Sequence, residues 1–371
     1  MKPLEIIHTE SSLGWGGQEI RVLTEAQGML RRGHQVRLLC PREARIHDEA
    51  ARFGVMAEAL PIGRKNLRGL LAMIRWIRAC RVTAGRGVFN THSSTDSWLV
   101  AAALNMLGRP LPIVRTRHIS ALVPRNRMSR WLYARAAAKV VTTGEALRGQ
   151  LIEDLGIEPA RIVSVPTGID TERFAPGERA KARASLGLPG DKVLVGIVAT
   201  LRSWKGHRYL IEACAAISSG VGLVIVGDGP QREAIEALVA AKGMADRVWM
   251  PGNQNDVLPW LQAMDIFVLP SYANEGVPQA LIQAMLVGLP CVTTSAGSIG
   301  ELARDNETGL VIPVQDSQAI RNAIVRLTAE PELRGLLGTA ARTHCLEHCS
   351  LAQMLDRMET VFESVAGNVS K

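Results

Sequence analysis

Residues 269–290 read LPSYANEGVPQALIQAMLVGLP, with a carboxylate, Glu275, and an amide, Gln283, eight positions apart. Between them Pro278 suits the first position of a helix, where its missing N–H costs nothing. The free N–H groups of such a helix start, at the positive end of the dipole, favour an anion. Arg202 and Lys205 in LRSWKGH stand three apart in a loop leading into another helix. A guanidinium fork and an ammonium point charge can converge there on one diphosphate. In GWGGQE (14–19), Gly16 and Gly17 let backbone approach a ligand, although the spacing fits neither GxGxxG nor GxxxxGK[ST]. His118 ends the apolar run PIVRTRH, and His92 and Asp96 of NTHSSTDSW sit at another strand end, where they could face a second substrate. Each feature taken singly also has an ordinary structural reading: a tight turn, a solvated basic loop, a satisfied buried histidine. As a set they suit a ligand with phosphate at one end and hydroxyls at the other.

Such residues need strands and loops to hold them. LEIIHT (4–9), HQVRLLC (34–40), GVFNTHS (87–93), LPIVRTRHIS (111–120) and AKVVTTG (138–144) are short apolar runs alternating with helical patterns. A second series follows, with strands at 192–200, 221–227, 264–271 and 290–294 and helices near 206–218, 230–242, 256–263 and 279–287. This alternation predicts an α/β chain built from parallel βαβ units. Between the series lies VPTGIDTERFAPGERAKARASLGLPGD (165–191), rich in Pro, Gly and charge, which reads as an interdomain linker. A chain of 371 residues exceeds one ordinary core, and two doubly wound halves in series suggest a cleft between them.

Residues 1–170 hold 25 Lys and Arg against 14 Asp and Glu, and the remainder 18 against 21, so the net charge of +8 belongs to the first half. That asymmetry calls for an acidic partner. Nucleic acid is not expected, because no aromatic platform or known motif accompanies the basic residues. In NLRGLLAMIRWIRACR (66–81), Leu67, Leu70, Leu71, Ile74 and Ile77 fall at helical spacing, flanked by Arg68, Arg75, Arg78 and Arg81. RNRMSRWLYARAA (125–137) adds further Arg with Trp131 and Tyr133. Segments of this kind lie on an anionic membrane surface or turn their apolar stripe into a core. The six cysteines form no CxxC pair and read as reduced thiols in a cytosolic compartment. MKPLEIIHT turns polar too early for a secretory signal, and no apolar run nears the ~20 residues of a membrane span. The His and Cys pairs of HCLEHC (344–349) do not suit one metal ion, because adjacent helical positions point about 100° apart.

Together with VPTGIDTERF (165–174), VIVGDGP (224–230) and GSIGELARDNETGLVIP (297–313), these segments occur in one order along nearly the whole chain. The set resembles family 4 glycosyltransferases of the GT-B fold, with SYANEGVPQALIQAM in the place of that family's E-x7-E segment. The resemblance implies two Rossmann-like domains facing across a cleft. Residues 1–172 would bind the acceptor, 173–355 the nucleotide sugar, and a final helix at 356–371 would pack back toward the first domain. It implies retaining transfer from a UDP- or GDP-sugar to a lipid-linked or cell-envelope glycan, with the leaving diphosphate helping to deprotonate the acceptor. No metal or other cofactor is expected, since the chain lacks Asp-x-Asp. By the same resemblance Glu275 reads donor hydroxyls and steadies oxocarbenium charge, His118 lies near the transferred sugar, and Arg202 and Lys205 hold the leaving diphosphate. Gly16, Gly17, Gly227, Asp256, Gly276, Val277 and Gln283 complete the donor site. Gln283 departs from the pattern, standing where an acid usually holds the ribose hydroxyls. An amide oxygen still accepts those bonds, at a loss of about 1 kcal/mol. The implied location is cytoplasmic, peripheral on the inner face of the membrane. A nucleotide-sugar epimerase and a non-catalytic nucleotide-sugar-binding partner are the competing readings.

Overall fold

Runs such as VGLVIV fold as strands buried on both faces, as a parallel sheet covered by helices requires. The computed structural model describes residues 3–80, 86–108, 111–217 and 220–367. The chain divides into two units, residues 1–168 with 352–371, and residues 169–351.

The first unit holds β1 (Glu5–Thr9), β2 (Gln35–Cys40), β3 (Met56–Ala59), β4 (Gly87–Thr91), β5 (Ile113–Arg117), β6 (Lys139–Thr142) and β7 (Ile162–Ser164). They form one parallel sheet in the order β3-β2-β1-β4-β5-β6-β7. Strand order reverses between β1 and β4, and ligands of open α/β sheets settle beyond the carboxyl ends of the strands at such a point. The loops after β1, β4 and β5 carry the glycine-rich segment, His92 and His118 to that end of the sheet. The helix Leu351–Ala366 closes this unit, burying Met354, Leu355, Met358, Val361, Phe362 and Val365 at three- and four-residue spacing. At its exposed edge Arg32 pairs with Asp356 at 2.6 Å and with Glu359 at 2.5 Å.

The second unit holds β8 (Val193–Val198), β9 (Val221–Val226), β10 (Val248–Gly252), β11 (Ile266–Leu269), β12 (Cys291–Thr293) and β13 (Leu310–Val311). All are parallel, in the order β10-β9-β8-β11-β12-β13, and the order reverses between β8 and β11. Arg202 and Lys205 follow β8, Gly227 follows β9 and Glu275 follows β11.

The segment 165–191 is not a linker. The chain passes from the first unit to the second between Gly168 and Ile169, and the rest of the segment is built into the second unit. Phe174 and Ala182 are buried, and residues Arg179–Leu186 form a helix. From that helix Arg183 donates to Asp265 at 2.6 Å and to the carbonyls of Ala263, Gly190 and Lys192. Of the charges that suggested a solvated tether, Arg183 points inward, while Glu172, Arg173, Glu178, Lys181 and Asp191 stay exposed. Cys345 on the helix Pro331–His348 and Cys349 just after it are buried in one core cluster, while His348 is exposed. The two cysteines of HCLEHC thus face the core and the two histidines pack on each other, edge to face, 4.8 Å between ring centroids.

Candidate active site

In the second unit, the loop after β8 makes a short 3-10 turn, Ser203–Lys205, before the helix His207–Ala215. The loop after β11 runs to the helix Gln279–Leu286, with Pro278 just before its first residue rather than at it. The two loops are tied by a hydrogen bond from the Tyr272 N–H to the Trp204 carbonyl at 2.9 Å. Lys205 Nζ then donates to Glu275 Oε1 at 2.6 Å. Glu275 is 4% exposed, so this is a nearly dry ion pair. Two glycines permit the close loop packing. Gly297, at φ +60°, lies so near that a Cβ would sit 2.0 Å from the Glu275 carbonyl oxygen. Gly227, at φ +134°, would place a Cβ 2.1 Å from the Ala199 carbonyl oxygen. The backbone reason for glycine at 227 is therefore contact between neighbouring loops.

The other expected donor-site residues are placed as follows. Gly276 and Val277 are buried beside Glu275, with the Val277 side chain in the core of the unit. Gln283 is buried on the helix Gln279–Leu286, in its second turn. Arg202 is exposed, its guanidinium 5.6 Å from the Trp204 ring centroid, while Lys205 turns to Glu275. The two cations are thus engaged separately. Asp256 pairs with Arg173 at 2.9 Å and accepts from the Leu258 N–H, which makes it part of a helix start.

In the first unit, Gly16 precedes the helix Gly17–Arg31 with φ −176°, extended backbone open to any residue. Before it, Glu10 accepts from the Ser12 N–H at 2.7 Å, from Gln18 at 2.5 Å and from the Ser93 hydroxyl. Burial, with the charges of Asp96 and Glu19, pushes the Glu10 carboxyl up to about 8. Asp96 cannot face an acceptor as expected. It is fully buried, and it accepts from Thr9 at 2.6 Å and from the backbone of His92 and Ser93, boxing the start of the helix Ser94–Met106. Nor does His92 face out: one ring nitrogen meets His8 and the other His118, each at 2.9 Å. Burial, reinforced by the guanidiniums of Arg21, Arg115 and Arg117, holds the His118 imidazole well below its usual value.

His8 and Glu10 were missed in the sequence, where LEIIHT (4–9) read only as a strand. The signal was available: polar residues at the carboxyl end of a strand next to the switch point line a site. The Leu67–Ala79 stripe divides. Ile74 and Ile77 are buried and Leu70 is half-buried, whereas Leu67 (69%) and Leu71 (42%) are exposed beside Arg68 and Arg75. Arg81 lies outside the described residues. Trp131 stacks on Trp98 and Tyr133 is buried, so Leu122 and Met128 are the exposed apolar groups among Arg125, Arg127 and Arg130. No helix among the described residues is long and apolar enough to cross a membrane.

Comparison with known proteins bears on both units. Residues 15–173 match the family model Glycosyltransferase Family 4, and residues 178–344 match Glycosyl transferases group 1. The D-inositol 3-phosphate glycosyltransferase of Saccharomonospora viridis is 28% identical, over 92% of this chain and 87% of the relative. The UDP-Gal:alpha-D-GlcNAc-diphosphoundecaprenol alpha-1,3-galactosyltransferase of Escherichia coli is 26% identical, over 82% and 81%. Among solved structures, Anabaena Alr3699/HepE in complex with UDP-glucose superposes with a TM-score of 0.86 at 20% identity, over 97% of this chain and all of that one.

Proposed function

The chain is a glycosyltransferase of the GT-B fold, and we propose that it moves a hexose from a UDP-sugar, with retention, onto a lipid-linked glycan. The Lys205–Glu275 pair carries this reading, because it sets a cation and a carboxylate side by side at the switch point of the second sheet. An ammonium has three donors. One holds Glu275 and two are left for the oxygens of a diphosphate. Glu275 accepts from the sugar hydroxyls and steadies positive charge at the anomeric carbon as the bond to the diphosphate breaks. Lys205, joined by Arg202, steadies the negative charge that collects on the leaving oxygens, which lowers the barrier without a metal ion. The acceptor hydroxyl attacks from the same face, and the leaving phosphate takes its proton. UDP is favoured over GDP by the ligand of the Anabaena structure and the donor of the Escherichia coli relative.

The acceptor reading rests on the basic first half and on Leu67, Leu71, Leu122 and Met128, which stand exposed among arginines. Each cation near an anionic leaflet is worth about 1 kcal/mol. The test begins with thermal shift against UDP-, GDP- and dTDP-sugars, followed by turnover of the stabilising donor with envelope lipid extract. Stabilisation by a GDP-sugar alone refutes the donor assignment, and hydrolysis or epimerisation without an acceptor refutes transfer. Failure to bind anionic vesicles at low salt refutes the membrane surface as the place of work.

A further inference from the structure

Three histidines of the first unit form one hydrogen-bonded file. His8 lies within β1, His92 directly after β4 and His118 directly after β5, so three neighbouring strands each contribute one ring. His8 Nδ1 meets His92 Nε2 at 2.9 Å, and His92 Nδ1 meets His118 Nε2 at 2.9 Å. The rings of His8 and His92 stack at 5.2 Å between centroids. Exposure rises along the file, from 0% to 2% to 8%, so only the His118 end approaches the surface.

Each of these bonds needs one N–H and one lone pair. Burial, with further cationic groups around His92 and His118, keeps all three rings neutral near pH 7. A neutral file has two arrangements. In one, the N–H groups point from His8 toward His118, which leaves the His118 proton on Nδ1. In the other they point back, His118 carries its proton on Nε2, and His8 must carry an N–H on its own Nε2. That atom is buried with no hydrogen-bond partner. An orphaned buried N–H is rarer than an unused lone pair, so the first arrangement wins. The same dead end excludes a proton relay, since a proton passed inward would have no group to leave by.

We propose that His8 and His92 are positioning residues that hold His118 as the neutral Nδ1–H tautomer, with that N–H left to donate to a hydroxyl of the transferred sugar. This rests on the reading of His118 as a donor-sugar contact. A neutral donor suits the place, because an imidazolium there would oppose the positive charge developing at the anomeric carbon.

The test labels the histidine ring nitrogens of the full-length protein with the heavy isotope and assigns each tautomer by long-range proton–nitrogen correlation. The expected wild-type result is a single Nδ1–H form at His118. His92→Phe should convert His118 to a mixture and lower kcat roughly 3–10-fold, the worth of one neutral hydrogen bond, with less change in donor KM. His92→Asn, whose amide N–H takes the place of Nδ1–H, should restore both. An Nε2–H or mixed His118 in the wild type overturns the proposal, and this readout does not depend on any variant folding. A folded His92→Asn no better than His92→Phe also overturns it. A fixed Nδ1–H form, with His118→Ala transferring at the wild-type rate, supports the file and refutes the placing of His118 at the sugar.

Discussion

Lys205 and Glu275 hold each other in a nearly dry contact, so each determines what the other costs. In Lys205→Ala the carboxylate stays buried without its counter-charge. Breaking a buried pair costs about 3–5 kcal/mol, and the partial exposure of Lys205 puts this one at the lower end. Chemical denaturation should register that loss, and transfer should disappear. Adding Glu275→Gln to Lys205→Ala should return most of the stability and none of the transfer, which separates the structural from the chemical share of the pair. Gln283 supports a milder prediction. Gln283→Glu restores a charged acceptor for the ribose hydroxyls, and titration calorimetry should show UDP binding tightened by about 1 kcal/mol, roughly fivefold. Loss of binding in that variant would remove Gln283 from the ribose site.

The loops around that pair are fixed by backbone contact. Gly297→Ala would drive a methyl into the Glu275 carbonyl and strain a left-handed residue, so the β11 loop must shift. Transfer should fall at least tenfold, since misplacement by about 1 Å costs 10²-fold, while circular dichroism shows the sheets retained. What the sequence made legible follows the same logic of position. The interior strands β1, β2, β4, β5, β6, β8, β9, β11 and β12 must be apolar on both faces and are plain as runs. The four strands that gave no signal, β3, β7, β10 and β13, are the four sheet edges. MAEA and IVS are as short as the interior IFVL and CVT, so what hides an edge strand is that it needs less apolar cover. The site was half legible. Glu275, Lys205 and His118 stand in quotable motifs, whereas the file behind His118 joins residues 84 and 26 positions apart and has no local pattern.

At the scale of the whole molecule, stability should peak near pH 6.5. Above it the folded chain keeps protons on Glu10, raised to about 8, and Glu25, raised to about 7, which the unfolded chain has already shed, so rising pH costs stability. Below it the unfolded chain takes up protons that four histidines refuse in the fold. His8 is lowered to about 3, His207 to about 4, and His92 and His118 are both held well below the usual imidazole value. These outweigh the raised carboxyls of Glu10, Glu25 and Asp96. Melting temperature against pH should fall on both sides, and Glu10→Gln should flatten the alkaline limb. The division into units makes another prediction. Residues 169–351 are continuous and should fold and bind UDP alone, whereas 1–168 should stay unfolded by circular dichroism until 352–371 is supplied. That division also orders events on the ribosome. The segment begun first is finished last, because its closing helix emerges only after the whole second unit has been made. At about 5–20 residues per second the wait is roughly 10–40 s. Through that interval the seat for Met358 and Phe362 stands open, and a chaperone that shields apolar surface has its clearest opportunity there.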